Sequence, residues 1–365
     1  MMPSAQQQHE RATSEIRRRF GAWLIAGSLA VATGLSALSL GTPTMRAAVA
    51  TETDAVSYNR LLGRGMNLGN ALDAPKEGAW GITLAPGYFS AIKEAGFNSV
   101  RVPIRWSAHA GNEPPYTIEP AFFARVDWAV EQALSRGLVA IINVHHNDEI
   151  HRDPATGIPR LVALWKQIAA HYRSQPERLY FELLNEPHDQ LTDERWQAAI
   201  PELLQAVRDS NPDRVVIIGP GNWNDAAHLP ALRLPSSDPR LIVTFHYYKP
   251  FPFTHQGSPA VRDSGRWRGT VWNGTSEERA QLRNDFDAAA AWAERNHRPL
   301  FLGEFGARRD ADMTSRASWT RAVAREAERR GFSWAYWEFG SDFGAYDLAA
   351  RSWHAPLLQA LMDRP

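Results

Sequence analysis

The sequence predicts an α/β fold, a single (β/α)8 TIM barrel, on three observations. Eight short apolar runs rich in β-branched residues alternate with longer segments of helical period, the pattern of successive βα units. The alternation fills about 300 residues, the size of one such barrel. The runs also tend to finish in His, Asn, Glu, Tyr or Trp, as expected where the C-terminal ends of parallel strands share one mouth. A doubly wound open sheet takes the same number of βα units and is the alternative.

In chain order the strand runs are Leu61–Asn67, Ser99–Ile104, Leu138–His145, Leu179–Asn185, Arg214–Gly219, Leu241–Tyr248, Pro299–Phe305 and Trp334–Phe339. Helical stretches with apolar positions three and four apart lie between them: Leu84–Ala95, Ala121–Arg136, Arg160–Tyr172, Thr192–Ser210, Glu277–Asn296 and Ser315–Arg330. Gly96, Gly137 and Gly331 each separate a helix from a strand, where a left-handed C-cap calls for a residue without a Cβ.

Residues 1–50 have a different character. Arg17-Arg18-Arg19-Phe20 precedes an uncharged run from Gly21 to Thr44 and the small-x-small site Ala48-Val49-Ala50, the order of an export signal of twin-arginine or Sec type. The expected organisation is therefore a signal peptide over 1–50, a (β/α)8 catalytic domain over 51–365, and a secreted or periplasmic product. No linker, repeat or low-complexity stretch follows Thr51.

Lys and Arg total 40 against 40 Asp and Glu, and there is no Cys, which excludes disulfides, thiolate metal sites and a Cys nucleophile. Residues 51–365 hold 35 basic and 38 acidic side chains, so no basic face is expected for nucleic acid, and neutral substrates are favoured.

Glu186 and Glu304 each end an apolar strand run and are followed by a breaker, Pro187 or Gly306. Two carboxyl groups facing each other across a mouth suit glycoside hydrolysis, which needs one protonated to assist the leaving oxygen and one ionised to meet the oxocarbenium-like centre. Two structural glutamates paired with Arg101 and Arg105 are the plainer alternative. His246 and Tyr248, two apart on a strand, share a face, and Arg101 favours ionisation of a nearby Glu. Trp80, Trp223 and Trp337 fall in loops or at strand ends, where flat indole faces suit pyranose rings. Trp128, Trp165 and Trp292, on helical stretches, fit packed core positions better.

Seven stretches carry a family pattern: Gly65-Met-Asn67-Leu-Gly69-Asn70, Val100-Arg101-Val-Pro103, Asn143-Val-His145-His146, Leu184-Asn185-Glu186-Pro187, His246-Tyr247-Tyr248, Gly303-Glu304-Phe305-Gly306 and Trp334-Ala-Tyr336-Trp337-Glu338. From Gly65 to about Leu361 the chain resembles glycoside hydrolase family 5, the retaining barrel family of cellulases and mannanases. The resemblance implies Glu186 as acid/base, Glu304 as nucleophile, Asn185 as partner of the sugar 2-hydroxyl, and Tyr248 and Arg101 as supports of the nucleophile. It places His145, His146 and His246 along the site, Trp337 beneath the sugar where the bond breaks, and Asn70, Asp73, Trp80 and Trp223 at substrate-contacting positions. Asp73 stands where close relatives often have Glu, and Ala260 where an aromatic is expected, with Trp267 nearby as a substitute.

The expected function is endo-hydrolysis of β-1,4-glucan with retention, the alternative being a mannanase or a bifunctional glucanase and mannanase. The expected partner is a β-glucan or (gluco)mannan polysaccharide, with no nucleic acid, no membrane partner once the signal is removed, a monomeric state, no cofactor and no metal. A metal-dependent barrel hydrolase is the first rival. Adjacent His145 and His146 on a strand point to opposite faces and chelate poorly unless the backbone turns there, and no His-Glu-x-x-His or His-x-His motif is present. The second rival, a noncatalytic carbohydrate-binding barrel, would be marked by a missing carboxylate.

Overall fold

The computed structural model describes residues 54–363, so the expected signal peptide lies outside the described residues. Within them the elements run α1 (Asp54–Leu62), β1 (Arg64–Asn67), α2 (Pro86–Glu94), β2 (Ser99–Val102), α3 (Pro120–Leu134), β3 (Val139–Asn143), α4 (Asp148–Arg152), α5 (Pro154–His171), β4 (Leu179–Glu182), α6 (Asp193–Arg208) and β5 (Val216–Ile218). They continue with β6 (Leu241–His246), α7 (Ser276–Asn296), β7 (Leu300–Glu304), α8 (Met313–Arg329), β8 (Ser333–Tyr336), the small hairpin β9 (Tyr346–Asp347) and β10 (Ser352–Trp353), and α9 (Ala355–Met362).

Strands β1 to β8 pair in sequence order, and β8 returns to pair in parallel with β1, Met66 opposite Tyr336, which closes the barrel. This is the (β/α)8 barrel, and the open-sheet alternative falls with the β8–β1 pairing. The strands are shorter than their apolar runs because the barrel wall needs only three to six paired residues; the rest of each run turns into the mouth. The three cap glycines have φ of +95°, +69° and +71° at Gly96, Gly137 and Gly331. At α7 the Thr275 hydroxyl accepts the Glu278 N–H and the Glu278 carboxylate accepts the Thr275 N–H, a capping box.

The elements differ from expectation at α1 and α5. Leu61 and Leu62 belong to a helix, α1, with Gly63 at φ +49° making the turn into β1. The crossover from β5 to β6, for which no helical stretch is expected, has one short helical turn over Gly221–Asn224 and 3₁₀ turns over Ala226–Ala231, Pro230, Pro235 and Pro239 denying a longer helix its donors. Helix α5 begins at Pro154, six residues before the expected Arg160, with proline tolerated in a first turn.

Two apolar clusters form. The larger lies between the barrel wall and its helices. The smaller fills the lower barrel with Val139, Ile141, Tyr180, Ile217, Ile242 and Phe301 and includes Ala55 and Leu62 of α1. Helix α1 closes the floor: the Asn59 amide donates to the Leu300 carbonyl, and its oxygen accepts the Ser333 hydroxyl. Below the mouth the barrel is therefore solid, and the chemistry is confined to the strand C-terminal ends. No described helix is long and apolar enough to cross a membrane.

Candidate active site

Strand β2 carries a fully buried cation. Arg101 donates to both oxygens of Glu182, from Nε at 2.6 Å and from Nη2 at 2.7 Å. Its Nη1 donates to Glu304 Oε1 at 2.7 Å and to Asn67 Oδ1 at 2.9 Å, and Nη2 also donates to Asn185 Oδ1 at 2.7 Å. One guanidinium thus ties β1, β2, β4 and β7 together at the mouth, and burial is tolerable because every donor has an anionic or carbonyl partner. Arg105 pairs with Asp148 and with neither glutamate, so the two-arginine alternative is half right.

Glu304 ends β7. Its second oxygen, Oε2, accepts the Tyr248 hydroxyl at 2.9 Å. Burial, and behind it the neighbouring Glu186 carboxyl, raises its pKa, while the adjacent Arg101 charge and the tyrosine hydrogen bond pull it back toward the ionised form. Tyr248 itself, buried and facing the carboxylates, is pushed far above its usual range and stays a donor.

Glu186 follows β4 at φ +48°, a left-handed conformation unusual for a non-glycine residue. His246 Nδ1 lies 2.7 Å from its Oε1, and the Asn185 amide donates to Oε2 at 3.3 Å. Burial pushes Glu186 up to about 7, opposed by the Arg101 and His188 charges. Burial also lowers His246 to about 4, leaving a neutral imidazole between two carboxyl groups. One oxygen of Glu186, one of Glu304 and a His246 nitrogen all lie within 4.8 Å of each other. The two carboxyls differ in environment. One keeps its proton near neutrality; the other faces a fixed cation.

The aromatic wall is partly as expected. Trp337 is half-buried and lies parallel to the His145 ring, centroids 5.5 Å apart at 1°. Gly306 makes room for that turn, since a Cβ there would stand 2.0 Å from the Trp337 carbonyl oxygen. Trp80, 41% exposed, meets His146 edge to face. Trp223, 50% exposed, sits on three consecutive left-handed residues, Asn222 to Asn224, and stacks on His188 at 3.5 Å. His188 in turn stacks on His151 at 3.7 Å. Trp165 and Trp292 are buried, and Trp128 packs against the core, as expected.

Two expectations are corrected. Asp73, expected to contact substrate, is 1% exposed, and its oxygens accept the N–H groups of Ala71 at 2.8 Å and Asn70 at 3.1 Å, so it shapes the turn that carries Asn70. Burial raises it to about 6. His145 and His146 do not point to opposite faces, because β3 ends at Asn143; their rings are 4.8 Å apart, on the same side.

That turn brings Asp73, His145 and His146 together as one possible cation cluster, and Glu186, His246 and Glu304 as another. In the second, Arg101 already supplies the positive charge at Glu304, which works against a further cation. Ala260 is exposed in the loop after β6, and Trp267 packs edge to face on Phe251.

Sequence reasoning missed Glu182, the buried counter-ion of Arg101. It also missed Asn67, Asn143 and Asn224, which hold Arg101, His145 and His246, and the rings of His188 and His151 behind Trp223. The signal was present: Arg101 inside an apolar strand demands a buried acid, and Glu182 is the lone charge of β4.

Residues 64–343 match the family Cellulase (glycosyl hydrolase family 5). Endoglucanase H of Acetivibrio thermocellus is 41% identical over 310 residues, 83% of this chain and 33% of that protein. The same organism's Cellulase/esterase CelE is 33% identical, over 82% of this chain and 39% of that one. The chain thus spans about a third of the length of these curated relatives. Solved structures of Thermotoga maritima Cel5A with cellobiose and with mannotriose are each 47% identical with a TM-score of 0.83, covering 85% of this chain and 100% of theirs.

Proposed function

Because the chain belongs to the cellulase family, glycosyl hydrolase family 5, we propose that it is an endo-acting β-1,4-glucanase that cleaves with retention by double displacement. The observation that carries the reading is the close pair of unlike carboxyls, Glu186 and Glu304, each with an oxygen within 4.8 Å of the other's. Retaining hydrolases hold their carboxyls about 5–5.5 Å apart, whereas inverting ones leave about 6.5–9.5 Å for a water.

In the first step Glu304 attacks the anomeric carbon while the Glu186 proton passes to the leaving oxygen. In the second, Glu186 takes a proton from water, whose oxygen displaces Glu304. Arg101 and Tyr248 hold Glu304 and keep its negative charge available; Asn185 faces the sugar 2-hydroxyl. Trp337 forms the floor, and Trp80, Trp223 and Asn70 line the cleft. The support is that the first three touch the carboxyls and that Trp80 and Trp223 are both substantially exposed.

The substrate is a glucan, in line with the endoglucanase relatives; the mannotriose complex of Cel5A is the reason to assay mannan beside it. The leader over residues 1–50 supports an exported enzyme, and the expected state is a monomer, which size-exclusion chromatography checks. The decisive assay is reducing-end release from carboxymethylcellulose, mixed-linkage β-glucan, glucomannan and β-mannan, with Glu304→Ala as control. Glucan cleavage should vanish in the control, and azide should restore turnover as the inverted glycosyl azide. Retained activity without azide would remove Glu304 from its role. Glu186→Gln should slow poor leaving groups by about 10²- to 10⁴-fold and activated aryl glycosides far less.

A further inference from the structure

The mouth is electrically lopsided. The loops after β6, β7 and β8 carry Lys249, Arg262, Arg266, Arg268, Arg308 and Arg309 against Asp263, Asp310, Asp312 and Asp342, with Glu338 buried beneath. On the other side, the stretches that follow β3, β4 and β5, residues 144–153, 183–192 and 219–225, carry Asp148, Glu149, Asp153, Glu186, Asp189 and Asp225 against Arg152. A net acidic sum over residues 51–365 therefore hides a local excess of guanidinium on one rim.

That rim is built into the cleft. From Glu304, Tyr248 leads to His255, ring centroids 4.9 Å apart, and His255 stacks on Phe251 at 4.0 Å. Phe251 is 43% exposed and meets the edge of Trp267, which stands between Arg266 and Arg268 in sequence. The side chains of Arg262, Arg266 and Arg309 are 96%, 83% and 70% exposed. Arg262 and Arg266 share one carboxylate, Asp263, at 3.8 and 3.9 Å, too loosely to use up either fork. An aromatic shelf running from the reacting centre to exposed guanidinium groups suits a sugar chain that carries anions, since planar forks bind carboxylate in pairs of hydrogen bonds.

We propose that the arginine rim after β6 to β8 binds carboxylate groups on the polymer, making anionic β-1,4-glucan the preferred substrate class. The proposal rests on the glucanase reading. It departs from the neutral substrate that the summed charge suggests, because recognition at a rim follows local rather than total charge.

The test compares carboxymethylcellulose with neutral hydroxyethylcellulose, for the full chain and its Arg262→Gln/Arg266→Gln variant, at low and high salt. The variant should raise KM for the carboxymethyl polymer about threefold, leave kcat unchanged and leave both constants on the hydroxyethyl polymer unchanged. High salt should raise KM for the parent and erase the difference. An equal shift on both polymers, or none on the anionic one, overturns the proposal. Retardation in native gels containing either polymer is scored in parallel. If the parent hydrolyses neither polymer yet is retarded by the anionic one, and the variant is not, the rim stands and the glucanase reading falls.

Discussion

Arg101 shows how much of the site depends on one side chain. Its guanidinium serves Glu182 and Glu304 at once with both acids buried, so its loss leaves uncompensated charge in the barrel. Arg101→Met should cost about 3–5 kcal/mol in urea unfolding. Adding Glu182→Leu should return a large part of that stability without returning activity, because Glu304 still lacks its counter-ion; a double variant no more stable than the single one would contradict this account. A second outcome concerns Glu186. With its pKa near 7, kcat/KM should decline as pH rises through about 7 and the acid loses its proton. Both glutamates were legible in the sequence because a charge ending an apolar run is conspicuous. Asp73 was misjudged because a linear sequence does not reveal that its carboxylate folds back onto the N–H groups of residues 70 and 71.

At the scale of elements, periodicity located all eight strands, since the wall segments are buried on both faces and most of their residues are apolar. It failed at α1, where two leucines look alike in strand and helix. The α4–α5 junction supplies a sharp test. Gly157 packs so closely that a Cβ would stand 2.4 Å from the Ile150 Cα, a backbone atom that cannot swing aside. Gly157→Ala should therefore destabilise the fold by about 1–3 kcal/mol despite alanine's better helix propensity. Calorimetry decides it, and a gain in Tm would show that the two helices can separate freely. Because α4 follows directly from His145 and His146, the same variant should also raise KM.

Across the whole molecule, function and stability pull against each other. Between its ordinary 4.5 and about 7, folded Glu186 holds a proton that the unfolded chain has released, so stability falls as pH climbs through that window. A glutamine there has no proton to lose. Glu186→Gln should match the parent near pH 4 and exceed it by about 3 kcal/mol at pH 8. Identical profiles would mean that Glu186 ionises in the fold as easily as in water. The floor of the barrel bears on a different matter, the order of assembly. Helix α1 is the first described element to leave the ribosome, yet its seat comprises Tyr180, Leu300 and Ser333, and Arg64 just after it donates to the Met362 carbonyl. Of the described elements, the one made earliest can dock only after the last strand exists. Nascent chains arrested before β8 should thus remain protease-sensitive at their N-terminal end, acquiring protection in one step once synthesis passes the final helix.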